Sequence, residues 1–558
     1  MSARTIFFAA LLGVAPATAA PTAPQQAVEF KTLTLEPDFE VVAHRVLASA
    51  GRPDVLILFG RDGQIESWRP FAEAREGDKR FLVVLPQPER TLVDTASYGG
   101  RDFVVAASPA GVTAYPLDEV SRVTAEAQSW IARAKFQLRV LTPQLSSIVQ
   151  DVNRDGAPDI VLPTPNACEL WLASFDPADG APKFRKTATL AVDVTRWGSR
   201  EGEFLSDALE SSFAIPGLDT RDVNGDGRPD LLVEQDQRRA FHLQREDGSF
   251  PVAPDVQVDL SIFRDTTEAA GLKLGAVLSA TDRASWSSRD LDRDGIPDYV
   301  IGHRRKVWVF RGGKQGPQFK DPAAILKTAE DITVLSVLEL DDDEHPDLLL
   351  VKLQVPTLAT LLRGLFGEWD VRIGALGYRN KGDATFETAP KWSNELTMRL
   401  PGIVGLVKNP EKILERFTEL EKRFRVSSRG DVNGDGELDV LVASEDRKRL
   451  DVWYGAPGAG RDTRGERKVR EILFDDKNTS WDVDRVVAAL GSLAQRQVAL
   501  LTGERKPDWS LELRDPAKFE LGALECADFD GDARAEVLVG YRRVQGGRAV
   551  VFDVLARR

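Results

Sequence analysis

Four stretches decide the fold: DVNRDGAPDIVL from Asp151, DVNGDGRPDLLV from Asp222, DLDRDGIPDYVI from Asp290 and DVNGDGELDVLV from Asp431. Each puts Asp or Asn at positions 1, 3, 5 and 9 and Gly at position 6, and each runs straight into a short apolar segment. Two further copies keep the pattern imperfectly: ELDDDEHPDLLL from Glu339, with Glu344 at position 6, and DFDGDARAEVLV from Asp528, with Ala533 there. AGRPDVLILF (Ala50 to Phe59) and GGRDFVVAAS (Gly99 to Ser108) keep only the loop's end and the apolar run, and RQVALLTG (Arg496 to Gly503) keeps only the run. Recurrence of one short string along a chain is the mark of a repeat architecture.

Each apolar run is rich in Val, Leu and Ile and bounded by turn residues, the signal of a strand buried on both faces. A second strand usually follows, as in Lys306 to Phe310, Arg449 to Trp453 and Arg548 to Phe552. Polar turns with apolar closers come next, QREDGSF (Gln244 to Phe250) and RNKGDATF (Arg379 to Phe386). One unit therefore reads as four antiparallel strands with the acidic loop between the first two. Units of this kind stack radially into a β-propeller, which leaves only short protected edges. The repeat count predicts an all-β ring of seven or eight blades, eight being preferred.

The DxNxDGxxD loop followed by PDLLV-like strands resembles the FG-GAP/VCBS repeat family, which includes the integrin α-subunit propeller. The resemblance covers most of the chain from about Ala50 onward. It implies a propeller with calcium loops but no single activity, since the family includes adhesins, glycan-active enzymes and other exported proteins.

The loop chemistry points to Ca²⁺ on its own account. A hard cation takes several oxygen ligands, and alternate positions of a tight loop present them together. Asp151, Asn153 and Asp155 supply side-chain oxygens, Ala157 its carbonyl, and Asp159 closes the set, with Gly156 giving the positive φ of the turn. The corresponding sets are Asp222, Asn224, Asp226, Arg228 and Asp230; Asp290, Asp292, Asp294, Ile296 and Asp298; and Asp431, Asn433, Asp435, Glu437 and Asp439. The imperfect sets are Glu339, Asp341, Asp343, His345 and Asp347, and Asp528, Asp530, Asp532, Arg534 and Glu536; a side chain at position 6 strains both turns. The competing reading is Asx-type turns that need no ion. It suits one loop better than four in register. The expectation is four calcium sites in the intact loops, with the two imperfect loops as further candidates.

Met1-Ser-Ala-Arg4, the apolar run Ile6 to Val14 and Ala17-Thr-Ala19 read as a secretory signal peptide over 1–19, cleaved after Ala19, with a flexible spacer over 20–28 and a single propeller over 29–558. The run is too short for a bilayer span, which needs about 18 to 20 residues. The mature chain is thus expected in the periplasm, at the cell surface or outside the cell. A net charge of −14, with no basic stripe, argues against nucleic-acid and anionic-lipid partners. Cys168 and Cys526 read as buried thiols, with a disulfide left open.

Two insertions, at about 354–372 and 390–425, read as helical: Leu358, Leu361, Leu362, Leu365 and Phe366 share one helical face, as do Ile413, Leu414, Phe417, Leu420 and Phe424 behind Asn409 and Pro410. A further helix is read over Glu203 to Phe213. The insertions connect strands two to three and unit to unit, so they leave from the side opposite the acidic loops. At the chain's start, Glu29 to Leu35 alternates polar and apolar residues and reads as the strand that the last unit lacks. The functional expectation is a calcium-stabilised binding or scaffold protein for a protein or glycan ligand. The alternative is a glycan lyase or hydrolase, although His44, His242, His303 and His345 fall in no recognisable catalytic motif.

Overall fold

The runs that follow the acidic loops become the inner strands of antiparallel sheets. Val55–Gly60, Asp159–Thr164 and Asp439–Ala443 are buried along their whole length, as strands covered on both faces must be. Outer strands lose one cover and alternate instead, as Lys183–Ala191 does with its basic residues turned to solvent. The computed structural model describes residues 30–49, 52–71, 82–133, 142–164, 167–174, 182–192, 194–198, 209–213, 216–263, 283–341, 343–353, 369–400, 426–455, 473–474, 480–482, 502, 505–544 and 550–557.

The described strands form five four-stranded sheets, one of five, one of seven and a two-stranded ribbon. Val41–Leu47, Val55–Gly60, Gln64–Trp68 and Leu82–Val84 form a simple meander, and so do Val149–Gln150, Asp159–Thr164, Ala167–Ser174 and Lys183–Ala191. The same order recurs in Gly217–Arg221, Asp230–Gln235, Arg238–His242 and Val256–Asp259, and in Ser427–Gly430, Asp439–Ala443, Arg449–Trp453 and Trp509–Glu512. In the five-stranded sheet, Gln144–Leu145 adds in parallel beside Leu92–Tyr98. The seven-stranded sheet runs from Ser285–Arg289 through Asp298–Phe310, Ala324–Leu338, Asp347–Leu353 and Trp369–Tyr378 to Trp392–Leu400 and Ser480–Asp482, so it contains both the Asp290 and the Glu339 loops.

Hydrophobic cores lie between successive sheets. One joins Phe103 and Val105 to Ile160 and Leu162, another Leu170 and Leu190 to Leu231 and Val233, a third Phe241 to Tyr299 and Phe310. The circuit closes at the chain's ends. Phe30–Leu35 pairs antiparallel with Val550–Arg557, Phe30 opposite Arg557 and Leu35 opposite Phe552. It completes the sheet of Phe519–Ala527 and Glu536–Arg543. Leu35, Phe529 and Phe552 then pack on Leu56 and Leu58 of the first sheet. The fold is a β-propeller.

Three sequence expectations are corrected. Trp392–Leu400, placed within the helical insertion at 390–425, is a strand paired with Trp369–Tyr378 along its length, and residues 369–372 of the first insertion belong to that partner. Trp392, Asn394, Leu396, Met398 and Leu400 already repeat with period two, which is strand rather than helix spacing. Leu209–Phe213, read as the end of a helix, pairs antiparallel with Val194–Gly198. The helical stripes at Leu358 to Phe366 and Ile413 to Phe424, the signal peptide and the spacer lie outside the described residues. Cys168 and Cys526 are free thiols on different sheets. Among the described residues no helix is long and apolar enough to cross a membrane.

Candidate metal centres

All six loops sit between the first and second strands of a unit, and they are built alike. An apolar residue at position 2 anchors each: Val152, Val223, Leu291, Leu340, Val432 and Phe529 are buried. The position-5 carboxylate turns back onto the amide of position 7, with Ala157, Arg228, Ile296, His345, Glu437 and Arg534 donating to Asp155, Asp226, Asp294, Asp343, Asp435 and Asp532 at 2.8–2.9 Å. Position 1 gathers the amides of the turn. Asp151 accepts from Asp155 and Gly156, Asp290 from Arg293 and Gly295, and Asp431 from Gly434, Asp435 and Gly436. These are Asx-type bonds, so the loop has its own backbone logic as well as a ligand set.

Gly156, Gly227, Gly295 and Gly436 have φ between 82° and 85°, and a Cβ on any of them would meet nothing within 4 Å. The requirement at position 6 is therefore conformational. Glu344 (φ 65°) and Ala533 (φ 69°) adopt the same left-handed backbone, so the two imperfect loops keep the turn at a steric cost of about 1–2 kcal/mol each. Position 4 is also left-handed, at Arg154, Gly225, Arg293, Gly434 and Gly531, a demand that sequence reasoning missed.

Position 9 does more than close a ligand set. Asp159 is fully buried; its Oδ2 accepts from Val152 and its Oδ1 from Ala173 at the end of the third strand, both at 2.9 Å. Asp230 holds Val223 and Gln244, Asp298 holds Leu291 and Gly312, Asp347 holds Leu340 and Asn380, and Asp439 holds Val432 and Gly455 in the same way. Glu536 accepts from Phe529 at 2.6 Å. Each of the five aspartates staples its loop to the neighbouring hairpin, whereas Glu536 ties position 2 of its own loop. Desolvation outweighs these bonds and pushes the acids up, Asp159 and Asp347 to about 7, Asp230, Asp298 and Asp439 to about 6, and Glu536 to about 8. Nearby loop carboxylates add to the rise, Asp155 and Asp151 acting on Asp159.

Two of the eroded copies keep the position-9 acid hydrogen-bonded, but to other partners. Asp54 accepts from the Ser49 and Asp528 amides, and buried Asp102 from the Ser49 and Ser97 hydroxyls and the Arg52 guanidinium. The residues "PD" and "RD" before each apolar run carried that signal in the sequence.

Among the described residues, three clusters bring carboxylate oxygens within 4.8 Å of one another: Asp290, Asp292 and Asp294; Glu339, Asp341 and Asp347; and Asp528, Asp530 and Glu536. Two of the three belong to the loops that departed from the pattern. Asp341 Oδ1 is buried with no hydrogen-bond donor, an orphaned acceptor of the kind a cation satisfies. In the Asp151, Asp222 and Asp431 loops position 3 is Asn, whose amide donates to the position-5 carboxylate at 2.8–3.0 Å. The donor set of carboxylates and amide oxygens suits calcium rather than a soft metal.

Successive loops touch. Gly225 abuts Ile296, Arg293 pairs with Glu344 at 2.8 Å, Gly434 abuts Arg534 and Gly531 abuts Pro53. Position 4 of one loop thus meets positions 6 to 8 of the next. Of the histidines, His345 occupies position 7 of the Glu339 loop, His44 is 2.9 Å from Glu525, and buried His242 contacts the Pro251 carbonyl, its pKa lowered by desolvation.

The sequence profile of the FG-GAP-like repeat matches residues 290–350. No curated protein sequence matches the chain. Similar solved structures include an Agrocybe aegerita lectin described as recognising non-reducing terminal N-acetylglucosamine (15% identity, 76% of this chain and 90% of that one, TM-score 0.28). Others are the Vanderwaltozyma polyspora Nup133 β-propeller domain (11%, 66% and 91%, TM-score 0.25) and the Dos1 propeller (12%, 55% and 74%, TM-score 0.22). Likenesses at these TM-scores carry no argument about ligand. The matched segment spans the Asp290 and Glu339 loops, and the same loop geometry recurs in four further places. The chain is a β-propeller that carries an FG-GAP-like repeat at residues 290–350.

Proposed function

We propose that the protein is an exported, calcium-stabilised propeller that serves as a binding scaffold for a protein or glycan ligand. The observation that carries the calcium reading is the crowding of three carboxylates within 4.8 Å in the Asp290 and Asp528 loops, with the buried, orphaned Asp341 oxygen marking the Glu339 loop as a third candidate. Like charges at this spacing repel unless a cation lies among them. Side chains at positions 1, 3 and 5 would hold the ion, with the position-9 acid contributing whatever lone pairs the staple leaves free.

The ligand reading rests on topology. The strands that flank residues 354–368 and 401–425 end on the side opposite the acidic loops, because neighbouring strands alternate in direction. Long connections on a rigid scaffold are the usual seat of binding. The test has two parts. Melting in EDTA should fall below melting in millimolar Ca²⁺, Mg²⁺ should substitute poorly, and equal melting temperatures would falsify the calcium reading. A glycan array run beside a pull-down with the mature chain then separates glycan from protein ligands.

A further inference from the structure

The Glu339 loop differs from its siblings in what surrounds it. Lys391 Nζ lies 2.6 Å and Arg379 Nε 3.1 Å from Asp341 Oδ2, while Arg379 Nη2 lies 2.9 Å from Asp343 Oδ2. Both cations come from the 3–4 turn of the same unit, at the end of Trp369–Tyr378 and the start of Trp392–Leu400. Arg293 of the preceding loop adds a third contact at Glu344. In the Asp290 loop, by contrast, the loop's own amides serve Asp290, Asp292 and Asp294. The Asp222 loop has an intermediate arrangement, with Arg228 of the loop itself on Asp226 at 2.6 Å.

We infer that Arg379 and Lys391 act as built-in counter-cations that hold the Glu339 loop in its liganded shape before any metal arrives, so that this loop is the least calcium-dependent and weakest calcium site of the set. The inference rests on the calcium reading above. Two positive charges against the outer oxygen of Asp341 and on Asp343 cancel much of the repulsion that an ion would otherwise relieve. The same charges oppose a divalent ion arriving beside Glu339, Asp341 and Asp347. Orientation is served as well, since the salt bridges fix Asp341 through Oδ2 and leave Oδ1 unengaged. The Lys391 ammonium also lies 4.7 Å from the centre of the Trp392 ring, a cation–π contact that helps hold the charge in place. Arg379 and Lys391 are positioning residues.

Amide exchange read by mass spectrometry on the full chain, in EDTA and in Ca²⁺, resolves the loops separately. In the wild type, peptides over Asp290–Asp298 should gain protection with Ca²⁺ and the peptide over Glu339–Asp347 should change little. Lys391→Met with Arg379→Met should open the Glu339 loop in EDTA and make its protection calcium-dependent, with affinity there rising about tenfold. Lys391→Arg should keep the wild-type pattern, which a loss of packing would not explain. Equal calcium protection of both loops in the wild type, or an unaltered Glu339 loop in the double variant, overturns the inference while leaving calcium binding intact. If no loop responds to Ca²⁺, the calcium reading fails, and the counter-cation role fails too unless the double variant still opens the loop in EDTA.

Discussion

At the scale of the residue, each loop is governed by backbone conformation first and charge second. Left-handed geometry at position 6 is met by Gly in four loops and by Glu344 and Ala533 in two. Ala533→Gly should therefore stabilise the protein by about 1 kcal/mol and Gly436→Ala should destabilise it by about as much, measured by urea unfolding. Opposite signs for the same pair of residue types would separate conformation from packing, because a Cβ at Gly436 meets nothing. The position-9 acids give a pH signature. Their folded values, about 6 to 8, lie above the usual carboxylate range near 4, so the unfolded chain ionises first as pH rises. The ion-free fold should lose stability from these groups between about pH 4 and pH 8, and a cation beside the ionised acids offsets that loss. The melting increment given by Ca²⁺ should be small at pH 5 and grow towards pH 8. An increment independent of pH would show that the staples do not sense the ion.

At the scale of the element, the unit was legible because its loop and its first buried strand are written contiguously, as in Asp222 to Val233. The strand period was also written in Trp392 to Leu400, yet the apolar helical stripe beyond it drew the reading towards helix. The Arg379 and Lys391 contacts had no such signal. They depend on how a turn some forty residues downstream folds over the loop, and no spacing rule encodes that. The position-9 staple lay between these cases: its acid was visible in every copy, but its second bond goes to the end of the third strand. The connection at 354–368 makes an element-scale test. Asp347–Leu353 and Trp369–Tyr378 pair from Leu348 opposite Tyr378 to Leu353 opposite Ile373, up to the edge of the insertion. Replacing residues 357–368 by a short Gly/Ser linker should leave a soluble propeller with little change in melting temperature. Aggregation of that variant would mean that the Leu358, Leu361 and Leu365 stripe belongs to the core.

At the scale of the whole molecule, stability is shared between neighbouring sheets and depends on a closed circuit. Phe30–Leu35 makes six residue pairs with Val550–Arg557, and Thr34 joins Asp553 and Arg514 in a hydrogen-bonded group across the seam. A chain beginning at Asp38 should melt well below one beginning at Ala27, since it leaves the Val550–Arg557 edge bare and uncovers Leu58 and Phe552. If the two melt alike, the circuit does not rely on this strand. The seam also orders events in time. Apart from Ser480–Asp482, which joins the seven-stranded sheet after three strands of the next one, the other described sheets each come from a continuous stretch of chain, but the last one needs residue 30 and residue 557 together, so its loop-closure entropy is the largest among them. The first strand must wait, unpaired, for almost the entire polypeptide to follow it. A chaperone that shields one short extended segment near the amino end would therefore guard the step on which completion of the fold depends.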